Sequence, residues 1–263
     1  MCLDTKKRKS LGPRNSDTEN IHNVFTKQKK ELKQSIKESL FMLQKQEKIN
    51  KFTRINRVPN VLINFFKKIN ELGLDDKVII IGTNSLYAYE AYAGVFIEEQ
   101  HLATFDIDIF NKRDKKLSIT FREKIPNKTL KGILLDIDKT FTISDEVPYR
   151  FHNKDNVVVE LITNIPTHEN KNDSFSGVIN LEIEGIKWVE NSKLHKQLVI
   201  GENGKCANIT TLGALEYGVY KKWLSTQKYR DPIKRERDLQ QGRLLKKLIE
   251  EYLLLREPLK TTS

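Results

Sequence analysis

The sequence predicts an α/β fold: a small mixed β-sheet flanked by helices and closed by a C-terminal helical lobe. Three observations predict it. An apolar run, Lys77-Val78-Ile79-Ile80-Ile81, stops at Gly82 and gives way to a helix-forming stretch. A second segment, Ala103–Phe110, alternates apolar and acidic side chains at the two-residue period of a strand. The chain then closes on two long helical patterns, Leu212–Gln227 and Pro232–Leu255.

The elements follow in order. Residues 1–22 are basic and polar and read as a mobile tail. From Val24 to Lys48, Phe25, Leu32, Ile36, Leu40 and Leu43 recur at mostly helical spacing, opposite a face of Lys, Gln and Glu. Arg57-Val58-Pro59-Asn60 breaks the chain, and Val61, Leu62, Phe65, Phe66, Ile69 and Leu72 then mark one side of a second helix that stops at Gly73. The strand Lys77–Ile81 runs into Gly82-Thr83-Asn84-Ser85 and a helix to about Tyr92. A loop from Gly94 to His101 leads to the strand Ala103–Phe110. Leu130–Asp138 reads as a helix; Phe141–Ser144, Tyr149–Asn153 and Val157–Thr163 read as strands between turn residues. Asn164–Ser176 is loop by composition. Short strands are expected near Gln197–Ile200 and Ala207–Thr210. Asp231-Pro232 starts the last helix, with Asp as the cap and Pro at the first helical position.

Composition narrows the class. Charged residues make up 31% of the chain and hydrophobic residues 38%, as in soluble proteins. No apolar run approaches the roughly 20 residues that span a bilayer, and Met1–His22 has no apolar signal core. A cytoplasmic protein is expected. Two cysteines, Cys2 and Cys206, form no disulfide framework and suit a reducing compartment. The five histidines are scattered, without zinc-ligand spacing. The net charge of +11 suits polyanionic partners, either nucleic acid or nucleotide phosphates, and equally suits a merely soluble basic surface. Much of the excess lies in Lys6-Lys7-Arg8-Lys9 and Lys27-Gln28-Lys29-Lys30.

The chemistry concentrates around Asp106-Ile107-Asp108. Two apart on a strand, both carboxylates project to one face, while Phe105, Ile107 and Ile109 project to the buried one. Adjacent carboxylates repel unless a cation lies between them. Hard oxygen donors suit Mg2+ or Mn2+, which also bind nucleotide phosphates. Gly82 supplies a second element. It ends an apolar strand ahead of a helix, so the backbone can approach a phosphate at the helix start. Thr83, Asn84 and Ser85 add polar donors, and the same residues also suit a plain helix cap. Glu160, within Val157–Ile162, is a charge in an apolar strand and needs a partner. A strand beside Ala103–Phe110 would bring it to the metal; the alternative is an outward-facing carboxylate.

Strand, Gly-polar turn and helix, then Asp-x-Asp, then a later acidic residue: this layout resembles the nucleotidyltransferase superfamily that includes DNA polymerase beta. More narrowly, Val78–Val95, Leu102–Ile109, Tyr220–Ser225 and Arg230–Gln241 resemble a bacterial family of nucleotidyltransferase-fold proteins, from about Arg57 to the chain end. The resemblance implies a nucleotidyltransferase core over residues 74–176. Helices over 23–73 precede it, and a mixed and helical lobe over 177–263 covers the nucleotide. It implies Asp106 and Asp108 as metal ligands, with Glu160 where the superfamily carries a third aspartate. It implies Gly82, Thr83 and Ser85 at the triphosphate, with Lys221 and Arg237 from the lobe. Two departures stand out: Glu replaces Asp at position 160, and the span from Ser85 to Asp106 is long. The implied activity is metal-dependent transfer of a nucleoside monophosphate from a nucleoside triphosphate to a hydroxyl of RNA, protein or a small molecule. The oligomeric state is not indicated.

The lobe groups Lys221, Lys222, Arg230, Lys234, Arg235 and Arg237, with Asp238 placed to orient one of them; a solvated basic face is the plainer alternative. A non-catalytic protein that keeps the fold and binds nucleic acid or a partner protein is the main rival. A third reading rests on Asp136 and Asp138. Ile133–Thr140 resembles the first motif of the haloacid-dehalogenase phosphatases, and Thr163 could pass for their second. Against it, Lys139 stands where that motif turns on Gly, and Leu130, Ile133, Leu134 and Ile137 fall at helical spacing.

Overall fold

The structure is a computed structural model and describes residues 10, 12–102, 104, 106–111, 130–145, 150–162, 189 and 191–253. Lys6–Lys9, Phe105, Thr163 and the segment Asn164–Ser176 lie outside the described residues.

The fold is mixed α/β, as the periodicities predict. Helix α1, Ser16–Phe52, starts earlier than the polar sequence suggested. Asn15 accepts from the Thr18 N–H, and Thr18 Oγ1 accepts from the Asn15 N–H, a reciprocal cap that carries the helix into residues read as tail. Helix α2, Asn60–Glu71, buries Leu62, Ile63, Phe65, Phe66 and Ile69 on one side. Strand β1, Val78–Ile81, is buried throughout. A 3-10 turn at Thr83–Ser85 leads into α3, Leu86–Ala93, which ends at the left-handed Gly94. A short α4, Glu99–Leu102, occupies part of the expected loop.

Strand β2, Asp106–Asn111, pairs antiparallel with β1 and parallel with β5, Val158–Ile162. Between them in sequence come α5, Leu130–Ile137, and two short strands, β3, Thr142–Ile143, and β4, Arg150–His152. The sheet order is β1-β2-β5-β4-β3, with the parallel β2–β5 pair at its centre.

A separate hairpin pairs β6, Leu194–Ile200, with β7, Cys206–Leu212, each longer than the short strands expected. Helix α2 packs on β7 and α5, α3 packs on β6, and β1 packs on β7. The hairpin is therefore part of the core, which runs as one cluster from Val58 to Leu253. Phe65, Phe66, Phe110, Tyr89 and Tyr217 are its largest fully buried side chains. Burying each Phe contributes roughly 1.5–3 kcal/mol. The chain closes with α6, Ala214–Ser225, against α7, Pro232–Leu248, which continues as a π-helical turn over Ile249–Leu253. Asp231 caps α7 through the Ile233 and Lys234 N–H groups, as expected.

Among the described residues, no helix is long and apolar enough to cross a membrane.

Candidate active site

Sheet register places the acidic residues. Ile81 of β1 stands opposite Asp108, and Asp108 stands beside Glu160 of β5. Ile107 and Ile109 point into the core, so Asp106 and Asp108 share the other face of β2. Asp106 is exposed and Asp108 half-buried. Burial pushes the Asp108 carboxyl up to about 6, with Glu160 and Asp106 adding to the rise and Lys221 opposing it.

Gly82 closes the site from β1. Its φ of +86° suits glycine, and a Cβ there would stand 2.1 Å from Asp108 Oδ2. The turn after it is anchored from several sides. Asn84 Nδ2 donates to the Asp106 carbonyl at 2.8 Å, which ties the turn to β2. Tyr217 of α6 donates its hydroxyl to the Gly82 carbonyl. Gln241 of α7 donates to Thr83 Oγ1 and to the His101 carbonyl, each at 3.1 Å. Ser85 is fully buried, and its hydroxyl donates to the Ile80 carbonyl at 3.2 Å, facing the core rather than the carboxylates.

The acidic and basic residues expected to meet do so unequally. Glu160 lies beside Asp108 but is held by Arg150 of β4, its register partner, at 2.6–2.7 Å. Lys221 is buried. Its ammonium bonds Asp238 Oδ1 at 2.7 Å, while Arg230 Nε bonds Asp238 Oδ2 at 2.8 Å. Burial pushes the Lys221 pKa down and Asp238 holds it up against that. Asp238 does orient basic groups, as the sequence suggested, but across two helices rather than along one. Lys221 in this arrangement is an internal counter-ion, not a free phosphate ligand.

Arg237 is exposed on α7 and lines a cavity of about 800 Å³ together with Asp106, Thr104, Tyr87 and Arg57. Arg57 is fixed there by Glu90 at 2.6 Å and the Ile97 carbonyl at 2.9 Å. Tyr217, Gln241 and Arg57 are site residues that sequence reasoning missed. Only the helical placement of Tyr217 and Gln241 near basic residues hinted at them.

Asp106 and Asp108 fit a divalent cation in donor chemistry, with hard carboxylate oxygens on one face of β2. Among the described residues, no group of three or more His, Cys, Asp or Glu side chains forms a ready metal cage. Of the two carboxylates, Asp106 lines the cavity.

Asp136 and Asp138 are arranged otherwise. Asp136 lies on α5, with Lys68 at 3.7 Å. Asp138 accepts from the Thr140 N–H and hydroxyl and from Asn153, hydrogen bonds that hold its pKa down and close off a turn. Neither sits at the end of a core strand, as a phosphatase nucleophile requires.

A nucleotidyltransferase family description matches residues 60–262, most of the chain. The chain belongs to that family. The match takes in the Gly82 turn, both aspartates and the α6–α7 lobe, while α1 precedes it. No curated protein and no solved structure matches the chain.

Proposed function

We propose that this nucleotidyltransferase moves a nucleoside monophosphate from a nucleoside triphosphate to an acceptor hydroxyl, using Mg2+ or Mn2+ held by Asp106 and Asp108. The observation that carries the reading is the close approach of the Gly82 backbone to the Asp108 carboxylate, two residues along β2 from the cavity-lining Asp106. It sets a side-chain-free backbone approach for phosphate next to two carboxylates. A cavity of about 800 Å³ is of nucleotide size.

The acceptor oxygen bonds the α-phosphorus and the α–β bridging bond breaks, so pyrophosphate leaves and the acceptor proton is released. When bound, the cation polarises the phosphate oxygens and offsets charge on the leaving group. Arg237 adds positive charge at the cavity wall. Thr83 serves through its backbone amide at the start of the turn, because its hydroxyl faces Gln241, whereas the Ser85 N–H and hydroxyl are held by the Gly82 and Ile80 carbonyls and Ser85 only shapes the turn. Glu160, paired with Arg150, orients the acceptor beside Asp108. Lys221 acts at one remove, favouring the ionised form of Asp108 while bound to Asp238. Positioning and fixed charge supply most of the rate.

The Arg150–Glu160 pair and the two-carboxylate donor set favour a second reading, in which the site binds nucleotide without chemistry. Transfer decides between them. Purified protein is incubated with triphosphates labelled at the α-phosphate and with total RNA and protein. Label should pass to an acceptor with the wild type and not with Asp106→Asn. Binding without transfer to any acceptor would favour the second reading.

A further inference from the structure

We propose that α1 is a docking rail for a single-stranded nucleic acid whose terminal hydroxyl is the acceptor at Asp106 and Asp108. The proposal rests on the transfer reading above and names its acceptor class.

The rail is built by helical periodicity. At 100° per residue, Lys27, Lys30, Lys33, Lys37, Lys45 and Lys48 fall within about a third of the helix circumference. All six are exposed. Over 37 residues α1 is about 55 Å long, and these lysines cover about 32 Å of it. Only Asn50 is buried, where it donates to the Gly204 carbonyl at 2.8 Å and pins the helix end to the β6–β7 turn. Such a lysine row matches a polyanion, and the lysines would release the counterions of its phosphates.

The charge continues towards the site. Lys45, Lys48, Lys51 and Arg54 recur every third residue from the helix into the chain beyond it, and the next such position, Arg57, lines the cavity with Asp106 while paired with Glu90. Between Lys51 and Arg54 stands Phe52. At 88% exposure it is the most exposed large hydrophobic among the described residues. An exposed aromatic ring flanked by cations, four residues before the cavity-lining Asn56, suits stacking with an unpaired base. Duplex bases are already stacked on each other, so the ring selects a single strand. An anionic membrane would also attract the lysines, but a flat surface does not follow the charge into a cavity. Helix α1 precedes the family-matched span, so the shared transfer chemistry does not by itself account for the lysine row.

The test is fluorescence anisotropy of the full chain with an end-labelled, unstructured RNA oligonucleotide, and with DNA of the same sequence. Binding should weaken with salt, with a log–log slope of about 0.7 per phosphate neutralised. Lys45→Glu with Lys48→Glu should cost roughly tenfold or more in affinity, and Phe52→Ala roughly tenfold. Circular dichroism checks that α1 remains helical. Magnesium-dependent triphosphate binding, measured on the same proteins, should not change. Triphosphate binding without strand binding, equal binding by wild type and variants, or retention on anionic phospholipid vesicles instead of on RNA would overturn the proposal alone. Loss of triphosphate binding by the wild type would overturn the site reading beneath it.

Discussion

The α-carbon of Gly82 packs so closely on Asp108 that a single added carbon would stand 2.1 Å from the carboxylate oxygen. The atom it meets is the far end of a side chain, so Gly82→Ala should displace the carboxylate rather than unfold the sheet. The backbone at φ +86° and ψ −170° adds strain of about 1–3 kcal/mol for any other residue. We expect a folded protein of reduced melting temperature whose transfer activity falls by roughly a hundredfold. Calorimetric melting and the labelled-triphosphate assay measure the two effects separately, and full activity in a folded Gly82→Ala protein would remove the glycine from the site.

Asp108 should trade stability for function. Its folded pKa of about 6 lies above the ordinary value of 3.8. Between those pH values the folded state keeps a proton that the unfolded chain has released. Stability therefore falls as pH rises through this window, and the penalty is complete at neutral pH. Asp108→Asn should make the metal-free protein more stable at pH 7 by about 1–3 kcal/mol, while removing metal-dependent nucleotide binding. Denaturant melts at pH 4 and pH 7 check the sign: the gain should shrink at the lower pH.

The Lys221–Asp238–Arg230 group should behave as a buried ionic unit. Asp238→Asn leaves the buried Lys221 ammonium without its counter-charge, and should cost about 3–5 kcal/mol in urea unfolding. Lys221→Met leaves Asp238 with Arg230 and should cost clearly less. Equal losses would mean that Arg230 does not compensate.

Glu160 separates chemistry from binding. Glu160→Gln keeps the shape of the side chain but loses the charge paired with Arg150. Transfer should fall at least tenfold while triphosphate affinity stays within about twofold, since an acceptor-orienting group acts after nucleotide binding. A matching loss in both would make Glu160 a nucleotide or metal ligand instead.

Much of the site was legible because it is local or periodic. The apolar run ending at Gly82 and the two-residue alternation of Asp106 and Asp108 carry their geometry in the sequence itself. Glu160 was placed beside them because a charge in an apolar strand needs a neighbour. What stayed hidden depends on contacts between distant segments. Tyr217 reaches Gly82 from a helix 135 positions away, and Gln241 reaches Thr83 from 158 away. Lys221 and Arg237 look alike as basic helix residues, yet one is sealed against Asp238 and the other opens on the cavity. The start of α1 is not legible for another reason. Its first turns are polar and exposed, so the Asn15–Thr18 cap, not an apolar face, sets where the helix begins.

Titration calorimetry with a non-hydrolysable triphosphate, with and without Mg2+, tests the central claim most directly when wild type and Asp106→Asn are compared. The account predicts binding strengthened by Mg2+ in the wild type, and no such strengthening in a folded Asp106→Asn protein. Binding that ignores Mg2+, or that survives unchanged in Asp106→Asn, would contradict it.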